Sequence, residues 1–308
     1  MTDLKDAKQL SENEDPDEEN PKGFLPSAAF TAYRSFPPVM NLYGNFSGVV
    51  KALRTFKLCG ATENEFLYLV EAHYGFTSRG PLCFGPGYYL HNGTSLKSPI
   101  RAATGDEYPI PFLAQLFRSK TTVKLPPLEQ ERNPRDMVTE VVQSTSSKEH
   151  GVAFAFEIEV GVERMVREAF EWRKMHGASS SSNDANTNDN NEDGGHSDSG
   201  TRYMLCRLAP GEACRSRAEA SRFGASGVPT TVDETKVQVV AELRLNNVLN
   251  WKHPYTLELK GPGLTGELGE RWALMTVVTS LTLYYLRQVG KTNKTTVAAA
   301  QKVHSKSS

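Results

Sequence analysis

Residues 266–288 read GELGERWALMTVVTSLTLYYLRQ, and no other stretch of the 308-residue chain has this character. No charge falls between Arg271 and Arg287. Trp272, Leu274, Met275, Val277, Val278, Leu281, Leu283, Tyr284, Tyr285 and Leu286 leave no polar stripe at helical spacing. A helix that is apolar all round is either buried on every side or set in a membrane. The segment 272–286 spans ~22 Å at a rise of ~1.5 Å per residue, short of a bilayer core of ~30 Å. Thr276, Thr279, Ser280 and Thr282 dilute its hydrophobicity, and such hydroxyls can bond back to helix carbonyls. The segment therefore reads as a core helix, with a tail anchor at 272–286 as the rival.

Outward from this helix, the chain is a series of short apolar runs broken by turn residues. The clearest is GVAFAFEIEV (151–160), with Val152, Phe154, Phe156, Ile158 and Val160 on one face and Ala153, Ala155, Glu157 and Glu159 on the other. Further strand candidates are 52–59, 66–74, 85–93, 98–103, 121–125, 137–143, 202–208, 236–245 and 255–261, bounded largely by Gly and Pro turns. Many short strands with turns between them read as a sandwich or barrel. A helix wrapped by strands on all sides needs a closed barrel, so the expected fold is mainly β, a closed antiparallel barrel enclosing a hydrophobic C-terminal helix. One stretch is ambiguous: in 162–175 (VERMVREAFEWRKM), periodicity alone favours a helix.

Charge marks the segments that cannot join a core. Residues 1–20 hold eight acids against Lys5 and Lys8, and residues 177–200 hold five acids with no Lys or Arg. The formal net charge of -1 therefore leaves +10 on the remainder, half of it on Arg287, Lys291, Lys294, Lys302 and Lys306. Residues 1–22 read as a disordered acidic tail, 177–200 as a low-complexity insertion, and 291–308 as a flexible basic tail. A single barrel domain over 23–290 is expected between them. The N-terminus has neither the apolar core of a signal peptide nor the Arg-rich, acid-poor make-up of a presequence. Cys59, Cys83, Cys206 and Cys214 form no CxxC pair and are expected to stay reduced.

The stretches REAFEWRK (167–174), RYMLCRL (202–208), VQVVAEL (237–243) and the final helix together resemble the Tubby C-terminal-like superfamily, which includes LURP-one-related proteins and phospholipid scramblases. The pattern is closest to fungal members and covers roughly residues 45–290. The resemblance implies a closed barrel around the helix, a strand at 166–174, and pairing of the strands on either side of 177–200. Tubby proteins bind phosphoinositides through basic residues, but no motif here aligns with that site. The scramblase cysteine-rich and calcium-binding segments have no counterpart either.

Catalytic signatures are missing from the sequence. There is no GxSxG, HExxH, P-loop or EF-hand pattern, and the seven histidines have no metal-ligand spacing. No catalytic residue, metal or cofactor is therefore assigned. Glu157 and Glu159 read as one solvated strand face, and a Cys59–His73 pair as coincidence. Two basic groups could hold an anionic headgroup: Arg167 with Arg173 and Lys174, and Lys252 with His253 and Lys260. The first group supplies the candidate ligand-binding residues. The sequence reading is a non-enzymatic barrel that binds an anionic phospholipid or a protein partner. Sequence-specific nucleic-acid binding is not expected without an aromatic RNA-binding motif. The expected location is the cytoplasm, with a membrane surface or the nucleus left open. The rivals are the tail-anchored protein and an enzyme with a site at the barrel mouth.

Overall fold

The computed structural model describes residues 35–46, 55–78, 80–106, 119–128, 137–147, 151–162, 164–175, 200–208, 237–247 and 249–307. The acidic stretch 1–22 and nearly all of 177–200 lie outside the described residues. Twelve strands run in chain order: β1 (Val39–Gly44), β2 (Thr55–Cys59), β3 (Phe66–His73), β4 (Gly87–His91), β5 (Ile100–Gly105), β6 (Lys120–Leu125), β7 (Val138–Ser147), β8 (Gly151–Val160), β9 (Val166–Lys174), β10 (Thr201–Arg207), β11 (Gln238–Leu245) and β12 (Tyr255–Leu259). Helices α1 (Pro262–Thr265), α2 (Gly269–Gln288) and α3 (Lys294–Ser307) follow.

Each strand pairs antiparallel with its chain neighbours, and β1 pairs with β12 to close the barrel. The period-two pattern of 151–160 explains why β8 sits as it does. Val152, Phe154, Phe156, Ile158 and Val160 are buried, while Glu157 is exposed. The ambiguous segment is a strand: β9 buries Phe170 and Trp172 and pairs with β8 from Val160↔Val166 to Ala153↔Arg173. Helix periodicity loses there because a strand between β8 and β10 buries both aromatics and satisfies the backbone on both sides. β9 and β10, which flank the low-complexity stretch, are paired neighbours.

α2 runs inside the barrel. Every residue from Leu274 to Leu286 is buried. Strands around the whole circumference touch it. Phe56 of β2 and Tyr88 of β4 pack on Tyr284, with ring centroids 5.8 and 5.9 Å away. The Thr104 hydroxyl of β5 lies 2.6 Å from that of Thr282. Trp172 Nε1 of β9 donates to Thr279 Oγ1 at 3.0 Å, and the hydroxyls of Tyr255 of β12 and Ser280 are 3.1 Å apart. Thr279, Ser280 and Thr282 also donate back to Thr276, Val277 and Val278 carbonyls. Each polar group of the segment that meets a strand group therefore does so at little cost. No helix among the described residues is long and apolar enough to cross a membrane.

Two expectations need correction. VMNLYG (39–44) forms β1, the strand that closes the barrel, although no strand is expected there. Its Asn41 and terminal Gly44 break the apolar alternation, and Asn41 is satisfied by donating to the carbonyls of Gly60 and Ala61. The stretch from 291 is not a free tail either. Residues 294–307 form α3, which buries Val297 and Ala300 and packs against β7 and β8. Lys291 is itself buried, with its ammonium 3.3 Å from Asp106 Oδ1.

Candidate functional site

The candidate headgroup residues are not gathered by the fold. Arg167 and Arg173 lie at opposite ends of β9, about 20 Å apart along the strand at ~3.3 Å per residue. Arg167 forms a fork on Glu140, at 2.6 and 3.2 Å, and donates to Glu159 Oε1 at 2.6 Å. Hydrogen bonding to Glu140 pushes its basicity well above the usual guanidinium range, so its charge is spent internally. Arg173 Nε donates to Glu171 at 2.6 Å, and Lys174 is exposed at the strand end. Lys252 and Lys260 flank the two ends of β12, and Lys260 pairs with Glu242 and Glu258.

The other chemistry-bearing residues are likewise used in structure. Cys59 donates to the Glu63 carbonyl at 3.3 Å, and burial pushes its thiol up to about 11. His73 sits at the opposite end of the barrel from Cys59, stacked on Tyr89 at 4.8 Å and bonded to the Cys83 carbonyl at 2.7 Å. Glu159 is drawn into ion pairs with Arg167 and Arg271, which hold its carboxyl below the usual range against the opposing effect of burial. Among the described residues, no group of three or more His, Cys, Asp or Glu could hold a metal ion.

A different surface stands out at the barrel end nearest the C-terminus of α2. Three successive pairs of strand ends lie there, β1 and β2, β3 and β4, and β11 and β12, and residues 45–46, 74–78, 80–86, 246–247 and 249–254 are described between them. They expose Phe46 (53%), Tyr74 (51%), Phe76 (85%), Phe84 (45%) and Trp251 (43%), with Leu249 at 80%. The large exposed side chains at the opposite end are aliphatic: Leu96, Leu128, Val162, Met165 and Leu264. The first and third rim connections touch, since Gly44 N donates to Lys252 O at 3.1 Å.

The described residues 74–78 and 80–86 are anchored to the barrel wall. Leu82 is fully buried against Tyr89 and Ala103 on the outer wall of β4 and β5. Gly75, with φ of +77°, lies so close to the Phe84 carbonyl that a Cβ would come within 2.4 Å of it. Tyr74 and Phe76 stack at 6.4 Å on this fixed frame. Tyr74 and Phe76 are thus exposed beside backbone packed onto the barrel wall.

Charge reinforces the aromatic pattern. The sequences of the three connections contain no Asp or Glu, and they contain Lys51, Arg54, Arg79 and Lys252. The α2–α3 region beyond Arg287 leaves from the same barrel end and is also free of acids, with Lys294 and Lys302 exposed. His253 adds no charge at neutral pH: half-buried on the Tyr43 ring at 4.8 Å, it has its basicity lowered by burial. Comparison with known proteins gives no matching family model, no matching curated sequence and no matching solved structure.

The sequence reading found Lys252 but not the aromatic groups beside it. Phe46 and Trp251 are far apart in the chain, and barrel closure through β1 brings both against Gly44. The signal available in sequence was aromatic residues inside Gly- and Asn-rich turns, where burial does not account for them.

Proposed function

We propose that this protein is a non-enzymatic barrel that docks onto anionic lipid surfaces through the rim at the carboxyl end of α2. The observation that carries the reading is the coincidence of five exposed aromatic residues with three adjacent connections whose sequences hold no acid, while the acids of this barrel end, those of 177–200 included, fall in the β5–β6, β7–β8 and β9–β10 connections. Aromatic side chains settle at the headgroup level of a bilayer, where one side of the ring is apolar and its surroundings are wet. Each nearby Lys or Arg adds about 1 kcal/mol of attraction to an anionic leaflet. The chemistry asked of the rim is adsorption, which needs no catalytic group. The Tubby C-terminal-like assignment belongs to the same proposal, supported by the closed antiparallel barrel around an apolar C-terminal helix.

Trp251 supplies the test. Of the three tryptophans, Trp172 and Trp272 are buried and only Trp251 is exposed. Its emission should shift to the blue on mixing with phosphatidylserine-containing vesicles. Added salt should reverse the shift, because exposed charges are screened beyond ~8 Å at physiological ionic strength. An emission spectrum unchanged by such vesicles contradicts the reading.

A further inference from the structure

β7 and β8 are each ten residues long, yet they pair only from Gln143↔Ala155 to Ser147↔Gly151. Below that point β7 keeps its partner on the other side, pairing with β6 from Gln143↔Lys120 to Val138↔Leu125. β8 likewise stays paired with β9 down to Val160↔Val166. Among the described residues, half of the β7–β8 junction therefore has no backbone ladder. Val138 and Val141 are 37% and 42% exposed beside it.

Side chains hold this half of the junction instead. Arg167 reaches from β9 to fork onto Glu140 of β7 and to bond Glu159 of β8. Arg271, in the first turn of α2, donates through Nε to Glu159 Oε2 at 2.9 Å and through Nη1 to the Pro126 carbonyl at 2.8 Å. Its Nη2 lies 3.8 Å from Glu140 Oε1 and is buried without a hydrogen-bond partner. Glu157 completes the cluster, 3.5 Å from Arg167 Nε. Two guanidinium groups and three carboxylates thus tie three strands and the central helix together where the ladder stops.

We propose that the lower half of the β7–β8 junction is a lateral gate in the barrel wall, clasped by Arg167 and Arg271 on Glu140 and Glu159. A ladder opens only when a strand leaves the sheet, whereas a side-chain clasp opens by rotamer changes at two arginines. Arg167 is 45% exposed, so water can replace its carboxylate partners from outside. Opening separates Val138–Val142 from Phe156–Val160 while each strand keeps its other neighbour. It uncovers the face of α2 that carries Arg271 and, one turn on, Met275. The inference does not depend on the membrane reading, because the seam lies at the opposite end of the barrel from the aromatic rim.

Thiol alkylation of the full chain carrying Met275→Cys, followed by peptide mapping across a series of low urea concentrations, tests it. The introduced thiol, buried under the closed seam, should react through an opening almost independent of urea, while the buried thiol of Cys206 on β10 reacts with global unfolding. Arg167→Gln, added to this chain, removes a charged hydrogen-bonding partner, so it should speed the introduced thiol by about tenfold or more and leave Cys206 unchanged. Arg167→Lys, which keeps the charge but not the fork, should fall between the two. An introduced thiol that reacts only with global unfolding overturns the gate. So does an Arg167→Gln variant in which both thiols speed up alike. Should that variant fail to fold, the urea dependence of the Met275→Cys chain decides alone.

Discussion

Thr276 measures how closely the barrel fits its helix. Its hydroxyl is fully buried and has no hydrogen-bond partner, whereas Thr282, less than two turns later, meets Thr104 at 2.6 Å. An unpaired buried hydroxyl costs ~1–3 kcal/mol in proteins, so Thr276→Val should stabilise by about 1 kcal/mol and raise the Tm by about 2 °C in calorimetry. Thr282→Val should do the reverse, by about 1–3 kcal/mol, because it strands the Thr104 hydroxyl. Leu281, 1% exposed, has no such latitude. Leu281→Asp places a charge inside the barrel at a cost of several kcal/mol and should leave the protein insoluble. Acid acts through His253 and Glu159. Both have folded-state pKa values below their ordinary 6.5 and 4.5, so in each case the unfolded chain binds protons more readily. Stability from His253 is complete above about pH 6.5 and is lost as pH falls through its folded value; stability from Glu159 is complete above about pH 4.5 and is lost below that. Urea midpoints should fall in two steps on acidification, and His253→Gln should remove the first.

α3 is the element whose role departs most from the sequence reading. Among its described side chains Val297 and Ala300 are buried, and they stand three apart among polar and small ones, which is too sparse a stripe to read as a core face. Lys291, at its approach, is buried against Asp106, which also accepts from the Tyr285 hydroxyl at 2.8 Å. Asp106→Ala should therefore destabilise the protein by removing the carboxylate that faces the buried ammonium, at a cost of up to several kcal/mol. Deleting 292–308 should cost less, about 1.5–3 kcal/mol for the exposed Val297 site, and leave a folded barrel measurable by urea denaturation. The remaining elements show what the sequence could convey. Ten strands were legible because alternation and turn residues are local signals, and α2 because its lack of charge is local too. β9 was ambiguous since Val162, Met165, Val166, Ala169 and Phe170 suit a helix while Phe170 and Trp172 alternate as in a strand, and only pairing with β8 and β10 decides between them. β1 carries Asn41 mid-strand, satisfied by partners nearly twenty residues away, which no local pattern reveals. Part of the aromatic rim was hidden for the same reason: Phe46 and Trp251 are brought together by β1–β12 closure, not by sequence proximity.

At the scale of the molecule, polarity runs from an apolar inside to a charged outside. Phe154, Phe156 and Trp172 face α2, while Glu157, Glu159 and Arg167 lie on the outer wall. A barrel that spans a bilayer has the opposite arrangement, apolar outward and polar inward. The helix is the filling of this barrel, so removing 266–308 should abolish soluble folded protein: a domain has only ~5–15 kcal/mol of stability to lose. The functional account rests on a second asymmetry, that of the two ends, and sedimentation with phosphatidylserine-containing vesicles tests it most directly. Replacing Phe76 and Trp251 together by Ser removes two rings that would each bury part of the ~1.5–3 kcal/mol available to a large apolar side chain, so affinity should fall by about tenfold or more. Arg167→Gln, at the far end, should sediment like the unaltered protein. Equal binding by the Phe76→Ser, Trp251→Ser variant, or loss of binding in Arg167→Gln alone, would contradict the assignment of the lipid-facing surface to the aromatic rim.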